Sequence, residues 1–209
     1  MIYADDILLV SRSCYNLQRL FDIVQDELLY INLELNASKC VSMRIGPRAD
    51  KPCAPLMTLD GSVIGNVENL KYLGVVITRS VRFNCSSEHL RKSFNKACNS
   101  ILSKLLGRAS EELIIHILKV KCLPILLYGS DVCRYTRASL CSMDFTVVRF
   151  GMRVFRSGNR TNVVNWMGQM GFELPSLLIP MREDKFVRQL AHCNNVLCMT
   201  FRSVISRRV

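Results

Sequence analysis

The sequence predicts an α+β fold, with a small strand-rich part first and a helical part after it. Three observations carry this. Up to about residue 80, short β-prone runs alternate with turn signals around one helical pattern. Beyond it, apolar residues recur at steps of three and four. The positive charge gathers at the C-terminal end: residues 1–133 carry 16 basic and 13 acidic side chains, whereas residues 134–209 carry 12 and 4.

The elements follow in order. Residues 1–10 read as two β-prone segments joined at Asp5-Asp6, a tight hairpin. Ser13 or Asn16 is placed to cap a helix whose apolar face is Leu17, Leu20, Phe21, Val24, Leu28 and Ile31. Val41, Met43 and Ile45 alternate like a half-buried strand, and residues 46–55 form a loop. Asp60-Gly61 between Leu59 and Val63-Ile64 signals a hairpin. By pattern alone, residues 71–78 form one strand with a glycine inside it, which marks a bulge or a close backbone approach. Leu90, Phe94, Ala97, Ile101 and Leu105 define a helix that Gly107 stops. A second helix runs from Leu113 to Val120, and Pro124 kinks it or starts the next segment. Further helices are expected near 138–156 and 176–192, separated by Ser157-Gly158-Asn159.

A length of 209 residues suffices to bury a core, and 49% hydrophobic with 22% charged residues is a globular balance. Ten cysteines in 209 residues are too sparse for a disulfide scaffold, and no C-x-x-C pair is present. Cys193 and Cys198 lie near His192 without a fourth ligand at useful spacing, so free buried thiols are expected rather than zinc. Asp5 and Asp6 stand where a signal peptide would be apolar, and no run reaches the length of a membrane span. An intracellular protein, nuclear or cytoplasmic and with no membrane association, is the expectation. A net charge of +11 points to a polyanionic partner. Arg149, Arg153, Arg156 and Arg160 fall at steps of four, three and four, which lines one helical face against a nucleic-acid backbone if the helix persists past Gly158. A solvated basic face has the same pattern.

Asp5 and Asp6 are the sharpest chemical feature. Paired carboxylates at a rigid hairpin suit a hard cation such as Mg²⁺, which phosphoryl transfer uses in pairs. Alone, the dipeptide reads equally as an ordinary turn. His89, His116 and His192 read as surface or packing residues, and Trp166 as a semi-buried aromatic or a stacking platform.

The string Tyr3-Ala4-Asp5-Asp6-Ile7-Leu8-Leu9 resembles the Y-A-D-D box of reverse transcriptases. Other segments follow in that family's order. Asn36-Ala37-Ser38-Lys39 is similar to its N-x-x-K element, and Tyr72-Leu73-Gly74-Val75 to its Y-L-G-V primer-grip hairpin. Leu123-Pro124-Ile125-Leu126-Leu127-Tyr128-Gly129 resembles the thumb-side apolar-Tyr-Gly stretch of retrotransposon enzymes without long terminal repeats. Val163-Val164 through Met170-Gly171-Phe172, then Arg182 to Phe186, resembles their C-terminal tail.

The resemblance implies a partial palm of antiparallel strands with one helix, then a helical thumb and a helical C-terminal region. It divides the chain into residues 1–80 (the second half of the palm with the primer-grip hairpin), 81–135 (thumb) and 136–209 (basic helical region). It implies template-directed nucleotidyl transfer with two Mg²⁺ ions, on an RNA template and a DNA primer, with no small-molecule cofactor. By the same resemblance Asp5 is a direct metal ligand and Asp6 a second, less central one. Lys39 neutralises or protonates the leaving pyrophosphate, against the plain reading of a solvated loop lysine. Tyr3, Tyr72, Leu73 and Gly74 position the primer end.

The departures set a further expectation. A reverse transcriptase palm needs a third carboxylate upstream of the Y-A-D-D hairpin, and fingers for the template. The sequence starts two residues before Tyr3, so Mg²⁺ binding is expected to be weak or absent, and the chain inactive alone. Ser130-Asp131-Val132-Cys133-Arg134 stands where the thumb usually carries a tryptophan. Unpaired edges and exposed apolar side chains are expected near residues 1–10 and 40–45. A non-catalytic nucleic-acid-binding module and a decayed remnant are the alternatives.

Overall fold

The computed structural model describes residues 1–196, 198 and 199. It is α+β and divides into two compact units. The first comprises Met1–Tyr72 and Ile77–Asn84; the second comprises Leu73–Val76 and Cys85–Val209.

The first unit opens on the expected hairpin. Strands β1 (Ile2–Tyr3) and β2 (Asp6–Ile7) pair antiparallel, Ile2 opposite Ile7 and Tyr3 opposite Asp6. Helix α1 (Cys14–Tyr30) starts where the sequence offers a cap: the Ser13 hydroxyl accepts from Asn16 N at 3.1 Å. Its apolar face is only partly covered. Phe21 is buried with Leu56 and Ile64, and Leu9, Leu17, Leu35, Ala37 and Cys40 pack around them. Leu20 and Ile31, expected on the buried face, are exposed. The described elements of this unit supply too little apolar surface to cover them.

Glutamines do part of the work. Gln18 Nε2 donates to Met57 O at 2.6 Å, and Met57 N donates to Gln18 Oε1 at 2.9 Å. The side-chain amide thus substitutes for a strand neighbour. Gln25 is buried and accepts from Leu59 N at 3.2 Å.

The strand held this way is β4 (Leu56–Met57), at one edge of a three-stranded sheet with β3 (Val41–Ser42) and β5 (Val63–Asn66). Strand β5 is central, parallel to β3 and antiparallel to β4. The turn at Asp60-Gly61 closes β4 onto β5 as expected, with Gly61 at φ 83°. The expected strand Val41–Ile45 stops at Ser42, and Val41 and Ile45 face solvent. Exposed apolar side chains gather here and at Ile2, Tyr3 and Val10, in line with the expectation for these segments.

The pattern-based reading of 71–78 as one strand is corrected. The segment is a hairpin of β6 (Asn69–Tyr72) and β7 (Val75–Thr78), extended by β8 (Asn84–Ser86) in the order β6-β7-β8. Leu73 and Gly74 both sit in the left-handed region, at φ 46° and 79°. Two successive residues there reverse the chain where alternation alone would carry it straight on.

The second unit is helical. Helix α2 (Glu88–Leu105) buries Leu90, Phe94, Cys98 and Leu102, a face shifted slightly from the one expected through Ala97 and Ile101. Gly107 follows it at φ 78°, in keeping with the expected stop. Ser110 caps α3 (Glu111–Ile117), accepting from Leu113 N. A π-helical turn (Leu118–Cys122) then leads into α4 (Leu123–Leu126), with Pro124 in its first turn. Pro124 therefore starts the element: its missing N–H is tolerated in a first turn, and the widened register before it avoids the ring clash.

Thr136 caps α5 (Arg137–Val154), and Asn159 caps α6 (Arg160–Gln169), a helix the sequence pattern does not set apart. Helix α7 (Pro175–His192) follows. One core runs from Leu90 to Ile179, with Phe94 edge-on to Phe150 at 5.6 Å. No helix among the described residues is long and apolar enough to cross a membrane.

Two contacts in this core carry measurable consequences. A Cβ on Gly151 would lie 2.5 Å from Met167 Sδ and 2.8 Å from Val163 Cγ1, so α5 and α6 approach closely only because residue 151 is glycine. Helix α7 has no capping side chain of its own at Leu174. The buried Asp144 carboxylate of α5 serves instead, accepting from Ser176 N at 2.9 Å. Gly151→Ala is expected to cost about 1–3 kcal/mol by overpacking, and Asp144→Ala about 1–3 kcal/mol through the orphaned donor. Denaturant unfolding of each variant checks both.

Candidate functional site

The carboxylate pair sits on the N-terminal hairpin. Ala4 and Asp5 form its turn, with Ala4 at φ 49°, and Asp6 begins β2. Met1 and Leu8 close the base: Leu8 N donates to Met1 O at 2.8 Å, and the terminal amine donates to Leu8 O at 3.0 Å. Tyr3, Asp5 and Asp6 are all exposed. Leu9, just beyond the hairpin, packs on the Phe21–Leu56–Ile64 cluster.

Lys39 lies on a single 3-10 turn, Ala37–Lys39, and is exposed. Asn36 caps that turn, its Oδ1 accepting from Ser38 N at 3.1 Å and from Ser38 Oγ at 2.6 Å. Ala37, the first residue of that turn, and Cys40, just after it, pack on the same cluster as Leu9. The exit of the carboxylate hairpin and the base of the lysine turn are therefore anchored on one small apolar core.

Asp5 and Asp6 are oxygen donors of the kind Mg²⁺ takes. Among the described residues, however, no three histidine, cysteine or acidic side chains converge on a common point. Two exposed carboxylates fall short of a rigid Mg²⁺ cage, and the donor set here does not fit the ion by itself.

The second cluster joins segments far apart in sequence. Tyr128 Oη donates to Leu73 O at 3.1 Å, and His89 Nε2 lies 3.0 Å from Gly74 O. A Cβ on Gly74 would come within 2.8 Å of Tyr128 Cε1, and one on Gly129 within 2.7 Å of Val75 Cγ2. Gly129 is itself left-handed, at φ 66°. The Leu73-Gly74-Val75 turn and the Tyr128-Gly129 dipeptide thus pack ring on backbone and backbone on side chain. Both glycines are fixed by the close approach as well as by φ. Tyr72 ends β6, just before this turn.

His89, read from sequence as a surface or packing residue, is a partner of this turn. Its Nδ1 is buried without a hydrogen-bond partner. Nothing in the spacing of residues 74 and 89 signals the contact; only the path of β8 into α2 creates it.

The four arginines do not share one continuous helical face. Arg149 and Arg153 stand one turn apart on α5, Arg156 lies beyond its end at φ 50°, and Arg160 opens α6. The helix ends because Ser157-Gly158-Asn159 breaks it and Asn159 caps the next. All four remain exposed. Arg153 donates to Asn99 Oδ1 at 2.6 Å and lies 5.7 Å over the Phe150 ring. Arg160 at a helix N-terminus opposes the local dipole, so no gain in helix stability accounts for its charge. Trp166 stands edge-on to Phe155 at 5.4 Å, a packing role with one side open.

Residues 1–77 match the family model described as "Reverse transcriptase (RNA-dependent DNA polymerase)". Those residues are similar to the reverse transcriptase family. The chain is also 30% identical over 138 residues to the "RNA-directed DNA polymerase from mobile element jockey" of Drosophila funebris. It is 27% identical over 138 residues to the protein of the same name from Drosophila melanogaster. Each match covers 62% of this chain and 15% of the relative, so the chain spans about a seventh of the proteins it resembles. No solved structure gives a significant match. The matched segment contains the Asp5-Asp6 hairpin, the Lys39 turn and the Leu73-Gly74 turn.

Gly74→Ala is expected to destabilise the chain by about 2 kcal/mol or more, combining left-handed strain with overpacking against Tyr128. Tyr128→Phe, which removes only the hydroxyl bond to Leu73 O, is expected to cost about 0.5–1.5 kcal/mol. Urea unfolding of the two variants ranks them.

Proposed function

We propose that this chain is the palm-and-thumb part of a retrotransposon RNA-directed DNA polymerase, and that these residues hold an RNA–DNA duplex without completing a catalytic centre of their own. The observation that carries the reading is the pinned Leu73-Gly74 turn within the reverse transcriptase segment. Its two carbonyls are held by Tyr128 and His89, and its conformation is fixed by a glycine that tolerates no Cβ. A rigid turn of this kind suits the positioning of a primer end through backbone and packing, with Tyr3, Tyr72, Leu73 and Gly74 as the primer-side residues.

In this reading residues 1–80 are the second half of the palm, 81–135 the thumb and 136–209 a basic helical region. Asp5 and Asp6 are carboxylates that would contribute to a Mg²⁺ centre, and Lys39 a cation for the leaving pyrophosphate. Two metal ions in such a centre stabilise the attacking and leaving oxygens. The two carboxylates alone hold too few ligands for that, so no catalytic step is assigned to them here. Arg149, Arg153, Arg156 and Arg160, spread over α5, the break and α6, contact phosphates without sequence choice. Such contacts release counterions, and their number sets the salt dependence of binding. An intracellular site of action follows from the partner.

Fluorescence anisotropy with a labelled RNA–DNA hybrid tests the reading. Affinity is expected to fall steeply between about 50 and 200 mM salt, and replacing the four arginines by alanine to lower the slope of log K against log salt by roughly 1 per lost phosphate contact. Binding that ignores both salt and the arginines would overturn the reading. In a primer-extension assay with Mg²⁺, the 209 residues are expected to give no template-dependent product. Extension that disappears in Asp5→Asn would show a working centre instead.

A further inference from the structure

Three cysteine pairs lie close enough to interact among the described residues. Cys98 with Cys122, and Cys85 with Cys133 beside Tyr135, are buried in the second unit. Cys14 and Cys53 in the first unit are different: both are half-buried, within reach of solvent.

Their setting is built for thiolate chemistry. Arg44 Nη2 donates to Cys14 Sγ at 3.1 Å and to Cys53 Sγ at 2.8 Å, so one guanidinium nitrogen bridges both sulfurs. Arg44 Nη1 reaches the carbonyls of Arg48 and Pro52 in the loop that carries Cys53, at 3.4 and 3.5 Å. Those contacts hold the guanidinium in place. Cys14 is the first residue of the 17-residue helix α1, where the backbone N–H groups favour negative charge. A hydrogen bond from Cys53, then the guanidinium, hold the Cys14 thiol below its ordinary range, whereas Cys53 is pushed up. The asymmetry gives one sulfur the character of an attacking thiolate and leaves the other protonated beside it.

We propose that Cys14 and Cys53 form a dithiol redox site that takes a peroxide as oxidant, with Arg44 as its positioning residue. The Cys14 thiolate attacks one peroxide oxygen; the O–O bond breaks, hydroxide leaves and takes up a proton as water, and Cys14 becomes a sulfenic acid. Cys53 then attacks the Cys14 sulfur, the S–S bond forms, the S–O bond breaks, and a second water leaves with the Cys53 proton. Two thiols and one peroxide thus give one disulfide and two waters. Two equivalents of a low-molecular-weight thiol reverse it by exchange, becoming oxidised themselves. The disulfide ties the 46–55 loop to the start of α1. The site is independent of the nucleic-acid reading and stands or falls separately from it.

The test is hydrogen peroxide titration of the whole chain, followed by alkylation under denaturing conditions and non-reducing peptide mapping. At one equivalent of peroxide, the Cys14–Cys53 disulfide is expected as the main product. Cys85, Cys98, Cys122 and Cys133 stay alkylatable, and the exposed Cys141 serves as internal reference. In native chain at neutral pH, Cys14 is expected to react with iodoacetamide about tenfold faster than Cys141, and Arg44→Met to remove most of that advantage. In Cys53→Ser, Cys14 is expected to stop at sulfenic acid, trapped by dimedone. Oxidation of Cys141 ahead of Cys14 would overturn the proposal. So would a mapped disulfide pairing other than Cys14–Cys53, or an unchanged alkylation rate in folded Arg44→Met.

Discussion

The left-handed turn at Leu73-Gly74 is the constraint on which the packing around Tyr128 and Gly129 depends. Two successive residues at positive φ are costly, the more so because one of them is leucine. Neighbouring groups over-determine the conformation: a tyrosine hydroxyl on one carbonyl, a histidine nitrogen by the next, and a ring where a Cβ would go. The strain is held in place by contacts that arrive from 15 and 55 residues away. Gly129 packs on Val75 just as closely, so the turn and the Tyr-Gly dipeptide are in contact at two points.

The same logic of distant partners recurs in the helical unit. Asp144 caps a helix that cannot cap itself, and Gly151 lets α5 and α6 approach to contact distance. In the first unit, by contrast, the apolar cluster is small, and side-chain amides of Gln18 and Gln25 take over strand pairing. That cluster nonetheless anchors both the exit of the Asp5-Asp6 hairpin and the Lys39 turn. A modest core thus fixes the bases of both segments while their tips stay exposed.

Much of this was legible in the sequence where the cause is local. The Ser13 cap, the Asp60-Gly61 turn, the N-terminal hairpin and the Gly107 stop all follow from side chains acting within a few residues. The reading of 71–78 as one strand failed because alternation does not see φ, and only the resemblance to a Y-L-G-V hairpin pointed to a turn. The arginine stripe needed a helix that persists past Gly158; the backbone instead breaks at Ser157-Gly158-Asn159 and a new cap begins, so the four share no single face. His89 and the Cys14–Arg44–Cys53 group were invisible because each depends on tertiary approach between residues with no shared periodicity.

The claim that Tyr128 and Gly74 act as one unit is tested most directly by a double-mutant cycle on unfolding free energy with Gly74→Ala and Tyr128→Ala. If the ring occupies the space a Cβ would take, Ala at position 74 costs less once the ring is gone, and the coupling is expected to be about 1 kcal/mol or more. The residual cost reports the positive φ, which the ring does not relieve. Costs that add to within about 0.3–0.5 kcal/mol would mean that the two residues act independently, and would contradict the account.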